Sequence, residues 1–238
     1  MNPAVHLLTW QGLALAFIPT LLVIGIMFRW SAGANTAIYA TLRMLIQLLL
    51  IGYVLVYIFE ADQPAVIVAV LVGMLVAASW IAIRPLQKRG RRVYLNALAA
   101  ISVGGLLTLA LVSQFVIGVE PWFSPRYLVP LGGMIFAAAM NTVSLAAERV
   151  QAETERGTSG REARRIAFQA SLIPTINSLF AVGLVTLPGM MTGQILSGVS
   201  PLIAAKYQIV VMSMIFGVSG ISSALYLVLE QRTPKDGA

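Results

Sequence analysis

The sequence predicts an all-α fold: a polytopic membrane helix bundle of about seven transmembrane helices, with the N-terminus outside and the C-terminus cytoplasmic. Three observations carry this. Of 238 residues, 58% are hydrophobic. Only 11% are charged, against about 25% in ordinary soluble domains, and mean hydropathy is +0.86. The apolar residues fall into runs of about 20, the length of a helix that crosses about 30 Å of hydrocarbon. A soluble domain needs more charge to cover its surface, and intrinsic disorder needs low hydrophobicity, so both are excluded.

The expected spans are 7–28, 38–59, 64–83, 93–117, 127–147, 172–197 and 206–229. The first carries no Lys or Arg before Arg29 and reads as a full span, not a cleavable signal. Orientation follows from charge. With the loop 84–92 in the cytoplasm, seven crossings put 29–37, 148–171 and 230–238 on the same side. These four segments hold 13 of the 16 Lys and Arg. The opposite side holds Arg126 and Lys206, beside Glu60, Asp62 and Glu120. The net charge of +7 therefore reports membrane orientation, and no nucleic-acid partner is expected; membrane lipid is. The outer loop 118–126 contains Trp122 and Phe123, which suit the headgroup level.

Within the second span, Arg43 is read as snorkelling to the headgroups, with lining of a cytoplasmic vestibule as the alternative; Gln47 is on the same face. In the fifth span Gly133, Ala137 and Asn141 repeat every four residues, as do Ser213, Gly217 and Ile221 in the last. Small residues at this spacing let helices approach, and packing within the bundle is the expected use; a subunit interface is the other.

The spans contain no Asp, Glu, Lys or His at mid-membrane depth, which weighs against a proton- or ion-coupled transporter. A retinal protein is excluded, because Lys206 sits at the outer end of its span and no buried carboxylate accompanies it. No cysteines occur, so thiolate metal sites are excluded, and the single His6 excludes a His-built site within one subunit. The three lysines follow Gln87, Ala205 and Pro234, so no Walker A loop is present and the chain is expected to bind no nucleotide.

The loop 148–171 reads as two charged helical stretches flanking Gly157 to Gly160. Ser159 or Thr158 can cap the second, with Glu162 in its first turn and Arg161, Arg164 and Arg165 around it. A solvated loop is the bland reading. The sharper one is a coupling element inserted into a cleft on a cytosolic partner. The sixth span is broken: Pro174 lies near its inner end, and Leu187-Pro188-Gly189-Met190-Met191-Thr192-Gly193 interrupts its outer half. Broken helices mark substrate sites in transporters, although a kink can also serve bundle shape alone.

The runs Gly52-Tyr53-Val54-Leu55, Ala139-Met140-Asn141, Ile173-Pro174-Thr175, Leu187-Pro188-Gly189-Met190-Met191-Thr192-Gly193 and Tyr207-Gln208-Ile209-Val210-Val211 resemble the FetB family of ABC transporter permeases, bacterial iron-export membrane subunits similar to plant aluminium-tolerance permeases. The resemblance covers roughly 38–230. It implies a single permease domain over 1–238, paired as a homodimer with a separate cytosolic ABC ATPase. That ATPase would bind ATP and Mg, this chain no cofactor, and export of an iron-like metal would follow. The family usually has Asp and Lys after Ile-Pro-Thr; Asn177, Phe180 and Ala181 stand there here. The expected substrate path comprises Asn177, Thr175, Ser178, Pro188, Gly189, Met190, Met191 and Thr192, with Gln47 and Asn141 from other helices. Met190, Met191, Met212 and Met214 suit a soft metal, and equally serve as core fillers. The competing readings are an ATP-independent transporter or channel for a small organic or amphipathic solute, and a membrane scaffold or receptor.

Overall fold

The structure is a computed structural model and describes residues 9–60 and 63–231. His6, Asp62, Arg232 and Lys235 lie outside the described residues. The chain forms two units, 1–60 and 61–238. The first contains α1 (Trp10–Leu15), α2 (Ile18–Arg29) and α3 (Ala34–Phe59). Thr9 caps α1 by accepting from the Gly12 N–H at 3.1 Å, and α2 packs on α3.

The second unit contains α4 (Pro64–Ala82), α5 (Arg91–Ala110, prolonged by a π-helical stretch Leu111–Ile117), α6 (Pro125–Glu155), α7 (Gly160–Ala181), α8 (Gly189–Leu196) and α9 (Pro201–Gln231). Pro64, Pro125 and Pro201 each open a helix, where the missing N–H costs nothing. The centre is α6, which packs against α4, α5, α7 and α9. Its buried stripe of Leu128, Leu131, Ile135, Phe136, Ala139, Val143 and Ala146 follows the 3.6-residue period.

Among the described residues six stretches are long and apolar enough to cross a membrane, one fewer than expected. The stretch expected as a single span at 172–197 is not one helix. Its first part is the end of α7, its last part is α8, and 182–188 between them is a turn. The two ends of the unit show how the chain runs. Asn96, near the start of α5, donates to Glu230 at the end of α9 at 3.1 Å. A cavity at that end joins Leu86 and Lys88 to Gln151, Glu155, Arg161, Tyr226 and Glu230. So the 84–92 loop, the end of α6, the start of α7 and the end of α9 lie together. With 31 residues, α9 is about 47 Å long, and its start is therefore at the opposite end. The chain from Gly160 to Pro201 has to cross between the two, through the broken segment.

The small-residue faces that the spacing singles out are not the packed ones. Ala137, Asn141, Ser213 and Ile221 are exposed, while Gly132, Phe136, Val218, Ser219 and Ser222 are buried. Periodicity marks a face but not which face turns inward. The closest helix approach is elsewhere: a Cβ at Gly104 on α5 would overlap Ser222 Oγ on α9, whose backbone N is 3.2 Å away. Gly104→Ala is therefore expected to cost about 1–3 kcal/mol by overpacking and to lower the melting temperature in detergent by several degrees. Gly217→Ala meets nothing within 4 Å and should leave it unchanged. Equal melting temperatures for the two variants would contradict this packing.

Candidate functional site: an inner hinge and a broken helix

At the end of the unit that carries Glu230, expected to be the inner one, the helix–break–helix is present: α6 ends at Glu155 and α7 begins at Gly160. Gly157 takes φ +83, a left-handed conformation that a side chain would strain. The turn is held by a residue not singled out from the sequence. Glu153 is only 6% exposed. Its carboxylate lies 2.8 Å from Arg149 Nη2, accepts from Arg156 Nη1 at 3.2 Å, and accepts from Thr158 Oγ1 at 3.0 Å. The Thr158 N–H also donates to the Glu153 carbonyl at 3.1 Å. Both Thr158 polar groups are thereby committed to Glu153. Ser159 occupies the capping position of α7 but makes no side-chain cap.

The expected coupling residues divide into two sets. Arg165 lies along its own helix, bonded to Glu162 through Nη2 at 2.6 Å and to Gln169 through Nη1 at 3.2 Å. The hydrogen bond from Arg165, reinforced by its charge, holds the Glu162 carboxyl below the usual carboxylate range. Glu162 thus favours the folded helix above ordinary carboxylate pH values, and this contribution is lost as the pH falls through its lowered pKa. Arg161 and Arg164 instead line the inner-end cavity of about 710 Å³ with Lys88, Thr154, Tyr226 and Glu230.

Beyond the charged turns, α7 contains Pro174 and runs unbroken to Ala181. The turn that follows pairs the N–H groups of 182–186. The Ala181 carbonyl accepts from Leu184, Val185 and Thr186 at 3.2, 2.8 and 3.1 Å, and Gly183 donates to Thr186 at 2.9 Å. Pro188 then caps the start of α8 and does not kink a continuous helix. The helix ends between Asn177 and Pro188, so these two residues of the expected path share no helix face.

The expected path residues are not all brought together. Thr175 is buried, whereas Asn177 and Ser178 are exposed, on another side of α7. The hydroxyl of Ser178 donates to the Pro174 carbonyl at 3.0 Å and that of Thr192 to the Pro188 carbonyl at 3.1 Å, so neither points at a ligand. Gly189 and Met190 are exposed and Met191 is half-buried. Met214 is buried in the core of α9. Asn141 is exposed on α6. It precedes Gly157 by 16 residues and Asn177 follows Gly157 by 20, so on these antiparallel neighbours the two amides differ in depth by about 6 Å. Gln47 belongs to the first unit; with its amide oxygen turned toward Arg43, it accepts from Nε at 3.2 Å and Nη2 at 3.3 Å.

Two further amides emerge beside the break. Gln208 on α9 is 6% exposed and its Oε1 is buried without a partner; Gln194 Oε1 on α8 is likewise unpartnered. A buried acceptor left alone costs about 1–3 kcal/mol. The Tyr207-Gln208-Ile209 run marked a resemblance but carried no hint of burial. Among the described residues no three His, Asp or Glu converge, so any cation here meets neutral oxygens.

The UPF0014 family, described as an uncharacterised protein family, matches residues 10–233. The chain belongs to this family. It is 34% identical to the UPF0014 membrane protein slr1647 of Synechocystis, over 94% of this chain and 85% of that one. It is 31% identical to the "Probable iron export permease protein FetB" of Escherichia coli, over 95% of this chain and 92% of the relative. The Arabidopsis protein ALUMINUM SENSITIVE 3 is 31% identical over 78% of this chain and 72% of its own length. No solved structure matches. With membrane proteins as relatives and six apolar helices, this UPF0014 member is a multi-pass membrane protein.

Glu153→Gln tests the hinge. It removes the charge that faces Arg149 and Arg156 while both cations keep access to water, so the expected cost is about 1–3 kcal/mol. Hydrogen exchange at 154–159 should accelerate while exchange in the middle of α6 stays unchanged. Unaltered exchange at 154–159 would show that Glu153 does not hold the turn.

Proposed function

We propose that this chain is the membrane-spanning permease subunit of an ABC transporter that exports an iron-like metal ion. It works as a homodimer with two copies of a separate cytosolic ATPase, which binds the ATP and Mg. The chain crosses the membrane seven times, counting the broken segment, with its N-terminus outside and its C-terminus in the cytoplasm. The observation that carries the reading is α7 itself. One helix holds Arg161 and Arg164 at the basic inner end and Asn177 in the apolar region, 16 residues apart, or about 24 Å. A movement of the inner end imposed by an ATPase reaches the broken segment along one helix, in which Pro174 is the compliant point. The relation to a protein named an iron export permease, over most of both chains, agrees with this.

A hard cation prefers oxygen ligands. The amide oxygens of Asn177, Gln194 and Gln208 are donors of that kind, and a chain moving a cation outward gains from weak neutral ligands that release it. Asn177→Leu and Gln208→Leu should each cut transport in proteoliposomes by about tenfold, the lower end of what a disturbed metal site loses, with ATPase assembly intact. Asn177→Asp should tighten binding of divalent metal. Normal transport by both Leu variants, per folded molecule, would remove these amides from the path.

Coupling is tested separately. Arg161→Glu with Arg164→Glu should weaken capture of the co-expressed ATPase, because reversing interface charge slows association and repels an acidic cleft. Undiminished capture would reject the start of α7 as the docking element.

A further inference from the structure

One face of α9 carries polar side chains that the closed bundle does not use. Ser219, Ser222, Tyr226 and Glu230 follow Gln208 by 11, 14, 18 and 22 residues. Each interval is close to a whole number of 3.6-residue turns, so the five stand in one line. Gln208, Ser219, Ser222 and Tyr226 are buried. The Oε1 of Gln208 and the hydroxyls of Ser219 and Ser222 have no partner among the described residues. Their neighbours behave differently. Ser223 donates to the Ser219 carbonyl at 2.7 Å, and Thr108 on α5 donates to the Gly104 carbonyl at 2.7 Å. A serine in a helix can turn to a carbonyl three or four residues back. Two fully buried serines that forgo this bond call for an explanation.

The lower part of this line faces α5. Glu230 accepts from Asn96, and a Cβ at Gly104 would overlap the Ser222 hydroxyl. From Asn96 to Gly104 and from Ser222 to Glu230 the chain advances equally, so the two helices keep one antiparallel register. At the end that carries Glu230, cytoplasmic in the proposed topology, the seam opens into the cavity of about 710 Å³. Val93 of α5 lines that cavity together with Tyr226 and Glu230. Ser222 is one turn above Tyr226, and Ser219 is the next position on the line. Beyond Ser219 the same face carries Ile215 and Met212, both half-buried. Gln208 follows, about 16 Å from Ser219 along the helix axis. Buried oxygens thus lie on both sides of a short apolar section, and one set adjoins an open cavity.

We propose that the α5–α9 seam is the cytoplasmic half of the translocation route, and that Ser219 and Ser222 are the hydroxyls the substrate meets when the seam opens. The proposal rests on the transport reading and extends it from the amides beside the break to the other half of the membrane. The close approach at Gly104 holds the seam shut here, with α5 lying directly against Ser222. Unpaired buried hydroxyls weaken the closed arrangement, so a small separation of the two helices is enough to join both to the cavity. Polar side chains turned into a membrane bundle mark such routes. A hydroxyl oxygen is a neutral, hard donor of the same kind as the Gln208 amide oxygen, so a cation leaving one set finds similar ligands in the other.

The chain has no cysteine, so single cysteines report the route directly. Inside-out vesicles from the host membrane keep the chain with its own partners; they are supplied with ATP and a membrane-impermeant cationic methanethiosulfonate. Ser219→Cys and Ser222→Cys should react about tenfold faster than Ser213→Cys and Ile221→Cys, because only a thiol that meets water ionises to the reactive thiolate. Ser213 and Ile221 bracket the same depth but are exposed on the opposite side of α9. A second arm separates transport from packing. Ser219→Ala with Ser222→Ala removes two unpaired hydroxyls, so it should raise the melting temperature in detergent while cutting metal transport in proteoliposomes about tenfold, as loss of metal ligands does. Rates at 219 and 222 no faster than at the two control positions would overturn the proposal. So would an alanine pair that transports normally per folded molecule. Fast reaction at 219 and 222 in a chain that moves no metal would support the route and remove the metal cargo of the transport reading.

Discussion

Backbone that leaves helical geometry inside hydrocarbon must find new partners for its N–H and C=O groups, and the second unit depends on how this is done at 182–188. The Ala181 carbonyl gathers three N–H groups there. That gathering lets α7 stop and lets Pro188 start α8 with the N–H groups of 182–186 paired. The same arrangement leaves α7 straight on its inner side, from a charged surface helix into the apolar layer. A kinked continuous helix would give neither the turn nor the separate α8.

Hydroxyl groups obey the same constraint. Thr108 donates to the Gly104 carbonyl at 2.7 Å, Ser79 to Leu75 at 2.8 Å, and Ser223 to Ser219 at 2.7 Å. Ser178 and Thr192 do likewise beside the break. A short side chain can satisfy itself on its own helix, as these five do. A longer amide has a carbonyl oxygen that its own helix does not reach. Gln194 and Gln208 keep buried acceptors without a partner, and so do the Ser219 and Ser222 hydroxyls of α9.

The sequence makes the class of the fold legible because hydrophobic length and charge asymmetry are properties of single segments. The helix–break–helix at Gly157 is legible for the same reason. Which face of α6 or α9 turns inward is not, since Ala137 and Asn141 have the small-residue spacing of a packed face yet are exposed. That choice is made by volumes on other helices, such as Phe136 against Gly105 at 2.8–2.9 Å from a Cβ placed there. Pro188 was legible as a breaker but not as the start of a new helix. A proline after a break and a proline within a kink are identical in sequence and differ only in where the preceding carbonyls are paired. Glu153 was hidden because one acid among several in a charged loop gives no sign that it alone is buried.

The position of Pro174 bears on how motion would pass along α7. Proline removes one backbone donor from the helix interior and crowds the preceding turn, which makes that turn the most compliant point between the inner surface and Asn177. Ser178 donates to the Pro174 carbonyl at 3.0 Å, a back-bond that also favours bending. On the inner side the helix is stiffened by the Glu162–Arg165–Gln169 chain of bonds. In the proposed coupling, force applied near Arg161 is carried along the first half of α7 and released as bending at the turn before Pro174, so that a displacement at the surface becomes a change of direction beside Asn177.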